Sequence, residues 1–238
     1  MAAGLGSGGA QGGARSVDLR LYGLLDVGVS GDDGAVLGRL GAEAAAGGCT
    51  LLQYREKTIE DCRAALARLQ AIQAALGGRV PLLVNDRVDL ALAAGADGVH
   101  LGQSDMHPAD ARRLLGPGAI IGLTVKTAAQ ADELYRLPVD YVCIGGVFAT
   151  TSKDNPDPPV GLDGLSRILF RARLARGPGL PVGAIAGIGL DNAAEVIGAG
   201  ADGIAVISAL FKAESVRDRA RDLRGRVDAA LAARGAGR

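Results

Sequence analysis

Eight short apolar runs, set apart by stretches of helical spacing, constrain this chain more than any other feature. They cover residues 19–25, 49–55, 80–85, 98–101, 119–124, 140–145, 181–185 and 203–207. Short apolar runs bounded by turn residues read as buried strands, and the stretches between them read as crossover helices. Leu66, Leu69, Ile72 and Leu76, three or four apart, mark one such helix. Thr58-Ile-Glu-Asp61 and Thr127-Ala-Ala-Gln130 have the form of N-terminal caps. Strands alternating with helices make parallel βαβ units, and eight such units close a barrel. The expected fold is α/β, a single-domain closed (β/α)8 barrel spanning residues 17–233. Residues 1–16, rich in Gly and Ala, read as a flexible extension, and residues 234–238 as a frayed tail.

One internal repeat supports this architecture. Ala94-Gly-Ala-Asp-Gly-Val99 recurs as Ala199-Gly-Ala-Asp-Gly-Ile204, each time leading into a strand, the fourth and the eighth. A glycine there ends a helix through a left-handed conformation. A doubly wound open sheet would give the same local pattern, so the repeat alone leaves both topologies open. The longest connection, residues 150–161, is rich in Pro and Asp and too short to divide domains; it reads as an active-site loop.

Composition excludes several functions. Lys and Arg together number 26, as do Asp and Glu, so bulk charge does not draw the chain to nucleic acid. Aromatic residues make up 3% and Trp is absent, which leaves little material for base-stacking platforms. No run approaches the roughly 18 apolar residues of a membrane span. Cys49, Cys62 and Cys143 lack any C-x-x-C spacing and read as small buried residues in a reducing compartment, with the cytoplasm as the expected location. Two histidines, His100 and His107, make a histidine-rich metal site improbable.

Functional groups of such a barrel sit where its strands end. After the second strand, alternation puts Gln53, Arg55 and Lys57 on one face, toward the barrel mouth, and Leu52, Tyr54 and Glu56 on the other. Two cations and an amide make an anion site. A structural ion pair between Arg55 and an interior carboxylate is the competing reading. Asn85-Asp86 ends the third strand and Gln103-Ser-Asp105 follows the fourth, so Asp86 and Asp105 share a rim. Two carboxylates with substrate phosphates and waters suit Mg²⁺. His100 reads as an interior residue with a buried hydrogen bond. Thr124 ends the fifth strand, and Gly145 to Lys153 follows the sixth with glycines, hydroxyls and a lysine that can wrap a phosphate. Ala186-Gly-Ile-Gly189 and Ile207-Ser208 end the last two strands, where barrels often hold a phosphate. Two anion sites and one metal site emerge, with no evident nucleophile.

These residues resemble a known family. Gln53-Tyr-Arg-Glu-Lys57, Val84-Asn-Asp-Arg-Val-Asp-Leu90, Gly98-Val-His-Leu-Gly-Gln103 through Asp105, and Phe148 to Lys153 are similar, in order, to the motifs of thiamine phosphate synthases, from about Leu19 to Lys212. The resemblance implies a barrel that joins a hydroxymethylpyrimidine diphosphate to a thiazole phosphate and releases pyrophosphate. It implies that Gln53, Tyr54, Arg55, Glu56, Lys57, Asn85 and Lys153 bind the pyrimidine diphosphate with Thr124 beside them. Asp86 and Asp105 would hold Mg²⁺, and Thr150, Thr151, Ser152, Gly187, Ile207 and Ser208 the thiazole phosphate. Arg55, Lys57 and Lys153 would offset charge on the departing pyrophosphate. Thr124 stands where a serine is usual, Gly146 and Ala149 where prolines are, and Ser152 where a second threonine is. The rivals are a thiazole tautomerase-like barrel, which lacks the full metal and lysine set, and a non-catalytic phosphate-ligand-binding barrel. Small molecules are the expected partners, neither nucleic acid nor membrane, and a homo-oligomer stays open.

Overall fold

The computed structural model describes residues 17–150 and 158–236. Its strands are β1 (Leu21–Asp26), β2 (Leu51–Arg55), β3 (Leu82–Asn85), β4 (Gly98–Leu101), β5 (Ile120–Val125), β6 (Tyr141–Ile144), β7 (Val182–Ile185) and β8 (Gly203–Val206). Each pairs in parallel with the next, and β8 returns to β1, so the barrel is closed and an open sheet is excluded. The helices are α1 (Val27–Ser30), α2 (Gly34–Gly47), α3 (Cys62–Leu76), α4 (Val88–Ala94), α5 (Pro108–Leu115), α6 (Ala128–Asp132), α7 (Gly161–Arg176), α8 (Ala193–Gly198), α9 (Ser208–Phe211) and α10 (Val216–Ala236). α10 packs against α2 and α8 and so completes the outer ring.

Alternation along each strand divides the apolar residues into two layers. Tyr22, Leu24, Leu51, Leu83, Ile120, Tyr141 and Ala205 fill the barrel interior. Leu21, Leu25, Leu52, Tyr54, Val84 and Val99 face the helices. The apolar interior layer ends toward the strands' C-terminal ends, where Asp26, Gln53, Arg55, Asn85 and His100 are buried polar residues.

The repeated Ala-Gly-Ala-Asp-Gly segment fastens the other end of the barrel. Gly95 caps α4 at φ 61°, and Gly200 takes φ 113° after α8. The aspartate does more: Asp97 accepts from the Leu82 amide at 2.9 Å while its own amide donates to the Leu82 carbonyl. Asp202 makes the same pair of bonds with Val182, and Asp140 with Ile121. Thr50 does so with Leu21 through its hydroxyl. Each clasp satisfies an amide at the start of one strand from the residue just before the next.

Several local expectations change. Asp61, not Thr58, caps α3, accepting from the Arg63 and Ala64 amides; Thr127 and Gln130 do form a reciprocal capping box. Cys62 is exposed at the start of α3, unlike buried Cys49 and Cys143. The C-terminal helix runs to Ala236, because Arg234 donates to the Ile197 and Ala201 carbonyls at 3.0 and 2.7 Å. Residues 1–16 lie outside the described residues.

Candidate active site

The barrel's C-terminal rim encloses a cavity of about 820 Å³. Gln53, Arg55, Lys57, Asn85, Asp86, Asp105, Thr124, Thr150, Gly187, Ile207 and Ser208 line it together, although they come from seven strand ends. Tyr54 and Glu56 do not. Their side chains leave the opposite face of β2, where the Tyr54 hydroxyl bonds Glu56 and Arg68 pairs with Glu56 at 3.4 Å. Period-two geometry thus puts both on the face away from the cavity, despite their place in the motif. Thr151, Ser152 and Lys153 lie outside the described residues.

Arg55 takes part in the ion pair of its competing reading without leaving the cavity wall. It lines the cavity, and it is ion-paired with Asp26, its register neighbour on β1; the two side chains are each 8% exposed. A guanidinium has five donors, so one carboxylate leaves others for a ligand. Lys57 sits at the rim, its Nζ 3.2 Å from Asp86.

Asp86 and Asp105 lie within hydrogen-bonding reach of each other. Burial raises the Asp105 carboxyl, and the neighbouring Asp86 raises it further against the opposing Gly102 amide. Asp86 also feels burial, but the hydrogen bond from Asp105 and the Lys57 charge outweigh it and hold Asp86 low. The two carboxyls thus move in opposite directions, as crowded carboxylates do without a cation between them. Hard oxygens at this spacing, open to the cavity, fit Mg²⁺, which takes one or two carboxylates and keeps sites for waters and phosphate oxygens.

Backbone strain marks the same rim. Asp86 (φ 60°) and Ala186 (φ 95°) are the two non-glycine residues with positive φ among those described, and both line the cavity. After Ala186, Gly187 at φ 65° lets the chain pass close under the β6 loop; a Cβ there would stand 2.5 Å from the Ala149 carbonyl oxygen.

Among the polar lining residues that were not sequence candidates for the site are Tyr22, Lys126, Gln130, Asp191 and Asn192. Lys126 and Gln130 had a usable signal, since they follow β5 directly and form the capping turn. Cys143 also lines the cavity, but burial pushes its thiol up to about 12, so it is no thiolate nucleophile. No group of three or more His, Cys, Asp or Glu gathers among the described residues, and no helix there is long and apolar enough to cross a membrane.

Cations, an amide and a carboxylate pair at the mouth of a closed (β/α)8 barrel define a barrel built for phosphorylated ligands. Residues 27–210 match the family model described as thiamine monophosphate synthase. The chain is 53% identical over 220 residues to a thiamine-phosphate synthase of Agrobacterium fabrum strain C58, covering 92% of this chain and 98% of that one. It is 43% identical to that of Chloroflexus aurantiacus, over 90% of this chain and 95% of the other. A solved thiamine phosphate pyrophosphorylase from Pyrococcus furiosus superposes with a TM-score of 0.77 at 35% identity, covering 91% of this chain and 98% of that one. The chain belongs to the thiamine monophosphate synthase family of transferases.

Proposed function

We propose that this barrel condenses 4-amino-2-methyl-5-hydroxymethylpyrimidine diphosphate with a thiazole phosphate, giving thiamine phosphate and pyrophosphate. One observation carries the reading: Arg55 and Lys57 converge with Asp86 and Asp105 on one cavity, where Cys143, the cysteine among its described lining residues, is held as a thiol. Such a site favours a reaction in which a leaving group departs with its electron pair and the protein stabilises the charge.

The methylene–oxygen bond of the pyrimidine breaks, and its electron pair leaves on pyrophosphate. The electron-rich aminopyrimidine stabilises the resulting cation, and the thiazole nitrogen lone pair then forms the new carbon–nitrogen bond. No proton moves at the reacting atoms, so no general base is required. Arg55 and Lys57 meet charge growing on the diphosphate; Lys153 takes the same role from the β6 loop. Gln53 and Asn85 hold the pyrimidine, Thr124 donates to the diphosphate, and the walls keep nitrogen and carbon in reacting distance. Thr150, Thr151, Ser152, Gly187, Ile207 and Ser208 receive the thiazole phosphate. Mg²⁺, held by Asp86 and Asp105 with substrate oxygens, would supply charge neutralisation to the leaving diphosphate. Three free cysteines suit a reducing compartment and support the cytoplasm as the location we infer.

Mixing both substrates with Mg²⁺ and assaying thiamine phosphate tests the proposal. Isomerisation of a thiazole substrate without the pyrimidine would select the tautomerase reading. Ligand binding with no turnover would select a sensor.

A further inference from the structure

The barrel interior holds a row of polar side chains of which the proposed chemistry uses only the two ends. Gln53 Nε2 donates to the Tyr22 hydroxyl, whose oxygen lies 3.0 Å from that of Tyr141. Tyr141 stands 2.8 Å from His100 Nδ1, and His100 Nε2 stands 2.8 Å from Thr124 Oγ1. Five residues from five strands thus form an unbroken row, and all but Tyr141 line the cavity. The fold makes room for it: a Cβ on Gly122 of β5 would lie 2.1 Å from Tyr141 Cζ, so only glycine there admits the ring.

Each member has a fixed supply of protons. Burial holds the Tyr22 and Tyr141 phenols well above their ordinary range, so each keeps one proton to donate. A neutral imidazole has one donor and one acceptor nitrogen. Hydroxyl protons rotate to suit their neighbours, so a row of this kind runs in one direction or the other as a unit. The Tyr22 proton sets the direction we infer: its oxygen accepts from Gln53, and of its hydrogen-bond neighbours among the described residues Tyr141 is the one that can accept from it. With the Gln53 amide N–H directed at the Tyr22 oxygen, Tyr22 donates onward to Tyr141, Tyr141 to His100 Nδ1, and His100 Nε2–H to Thr124. What remains for the cavity is an acceptor at one end and a donor at the other. The acceptor is Gln53 Oε1, fully buried and without a hydrogen-bond partner among the described residues. The donor is the Thr124 hydroxyl proton.

We propose that this row is one polarised hydrogen-bond chain, in which His100, as its Nε2–H tautomer, is the positioning residue that turns the Thr124 proton toward the ligand. The tyrosines carry the same polarity to Gln53 and leave its carbonyl oxygen for the ligand. The inference rests on the reading that Gln53 receives the aminopyrimidine and Thr124 the diphosphate.

The chain has two histidines, so ¹⁵N-histidine labelling isolates His100 once His107→Asn is introduced; asparagine retains the N-cap of α5. Long-range ¹⁵N–¹H correlation of the ligand-free protein at neutral pH should show a neutral ring protonated at Nε2. A ring protonated at Nδ1, or at both nitrogens, overturns the polarity. Kinetics test the consequence. His100→Gln places an amide donor near the Nε2 position, whereas His100→Asn reaches Tyr141 but not Thr124. We expect His100→Asn to lower kcat by on the order of ten- to a hundredfold, with KM for the thiazole phosphate unchanged, and His100→Gln to recover most of that loss. In a Thr124→Val background, His100→Asn should cost nothing further. Equal losses in both His100 variants, or an undiminished loss without the Thr124 hydroxyl, overturn the positioning role. A wild-type protein that makes no thiamine phosphate would defeat the functional reading instead, and the tautomer would still be decided by the spectrum.

Discussion

Lys57 Nζ lies 3.2 Å from an Asp86 oxygen, so the rim cation already leans on one of the two carboxylates that would hold Mg²⁺. In the ligand-free chain this lysine offsets charge on the pair, and a divalent ion would take over that role. We therefore expect Asp86→Asn and Asp105→Asn each to raise the Mg²⁺ concentration for half-maximal activity by at least tenfold, since few protein oxygens hold the ion. Asp86→Ala should lower the melting temperature more than Asp86→Asn. Asparagine tolerates the left-handed backbone at φ 60°, where alanine costs roughly 1–2 kcal/mol. Wild-type Mg²⁺ dependence in both Asn variants would remove the pair as ligands.

Asp26 and Arg55 form the buried ion pair of the cavity wall. Removing the carboxylate leaves a guanidinium uncompensated, which costs about 3–5 kcal/mol at buried sites. Asp26→Asn should thus be strongly destabilised in urea melts. Pyrophosphate should restore more stability to this variant than it adds to wild type, because an anion binds the folded state only and replaces the lost charge. Equal stabilisation of both proteins would mean that Arg55 does not face the diphosphate.

Asp202 binds the Val182 amide and also pairs with Arg173 and Arg234. Asp202→Ala strands a half-buried amide and loosens the last helix, so a loss of about 1.5–3 kcal/mol is expected. Because the clasp lies at the end of the barrel away from the cavity, kcat should stay within a factor of two of wild type. A kcat loss without a stability loss would contradict this division of labour.

The three cysteines should react very differently. Burial pushes the Cys49 and Cys143 thiols up to about 12, while Cys62 is exposed. At pH 8 a disulfide reagent should label one thiol per native chain rapidly and three in denaturant. Two or more fast thiols in the native protein would show that the barrel wall opens around Cys49 or Cys143.

Much of the barrel was legible because its strands are short apolar runs with polar C-terminal ends. The boundaries slipped where polarity and pairing disagree: β1 includes Asp26, which reads as loop but pairs in register with Arg55. Alternation assigned Gln53, Arg55 and Lys57 to the mouth, whereas reading the motif as a contiguous block drew in Tyr54 and Glu56 from the other face. The aspartate clasps were hidden in the repeat, since its glycines explain the helix ends and leave the carboxylates unaccounted for. Of the Tyr22–Tyr141–His100 row, His100 was legible as an interior residue with a buried hydrogen bond, but its tyrosine partners were not. The members of the row are 41 and 119 positions apart in the chain, and only barrel closure brings them together.

Pyrophosphate and thiamine phosphate counted in the same reaction test the central claim most directly. With both substrates and Mg²⁺ present, the two products should appear in equal amounts, and Lys57→Ala should slow both equally. Pyrophosphate formed without thiamine phosphate, or neither product from the folded wild-type protein, would contradict it.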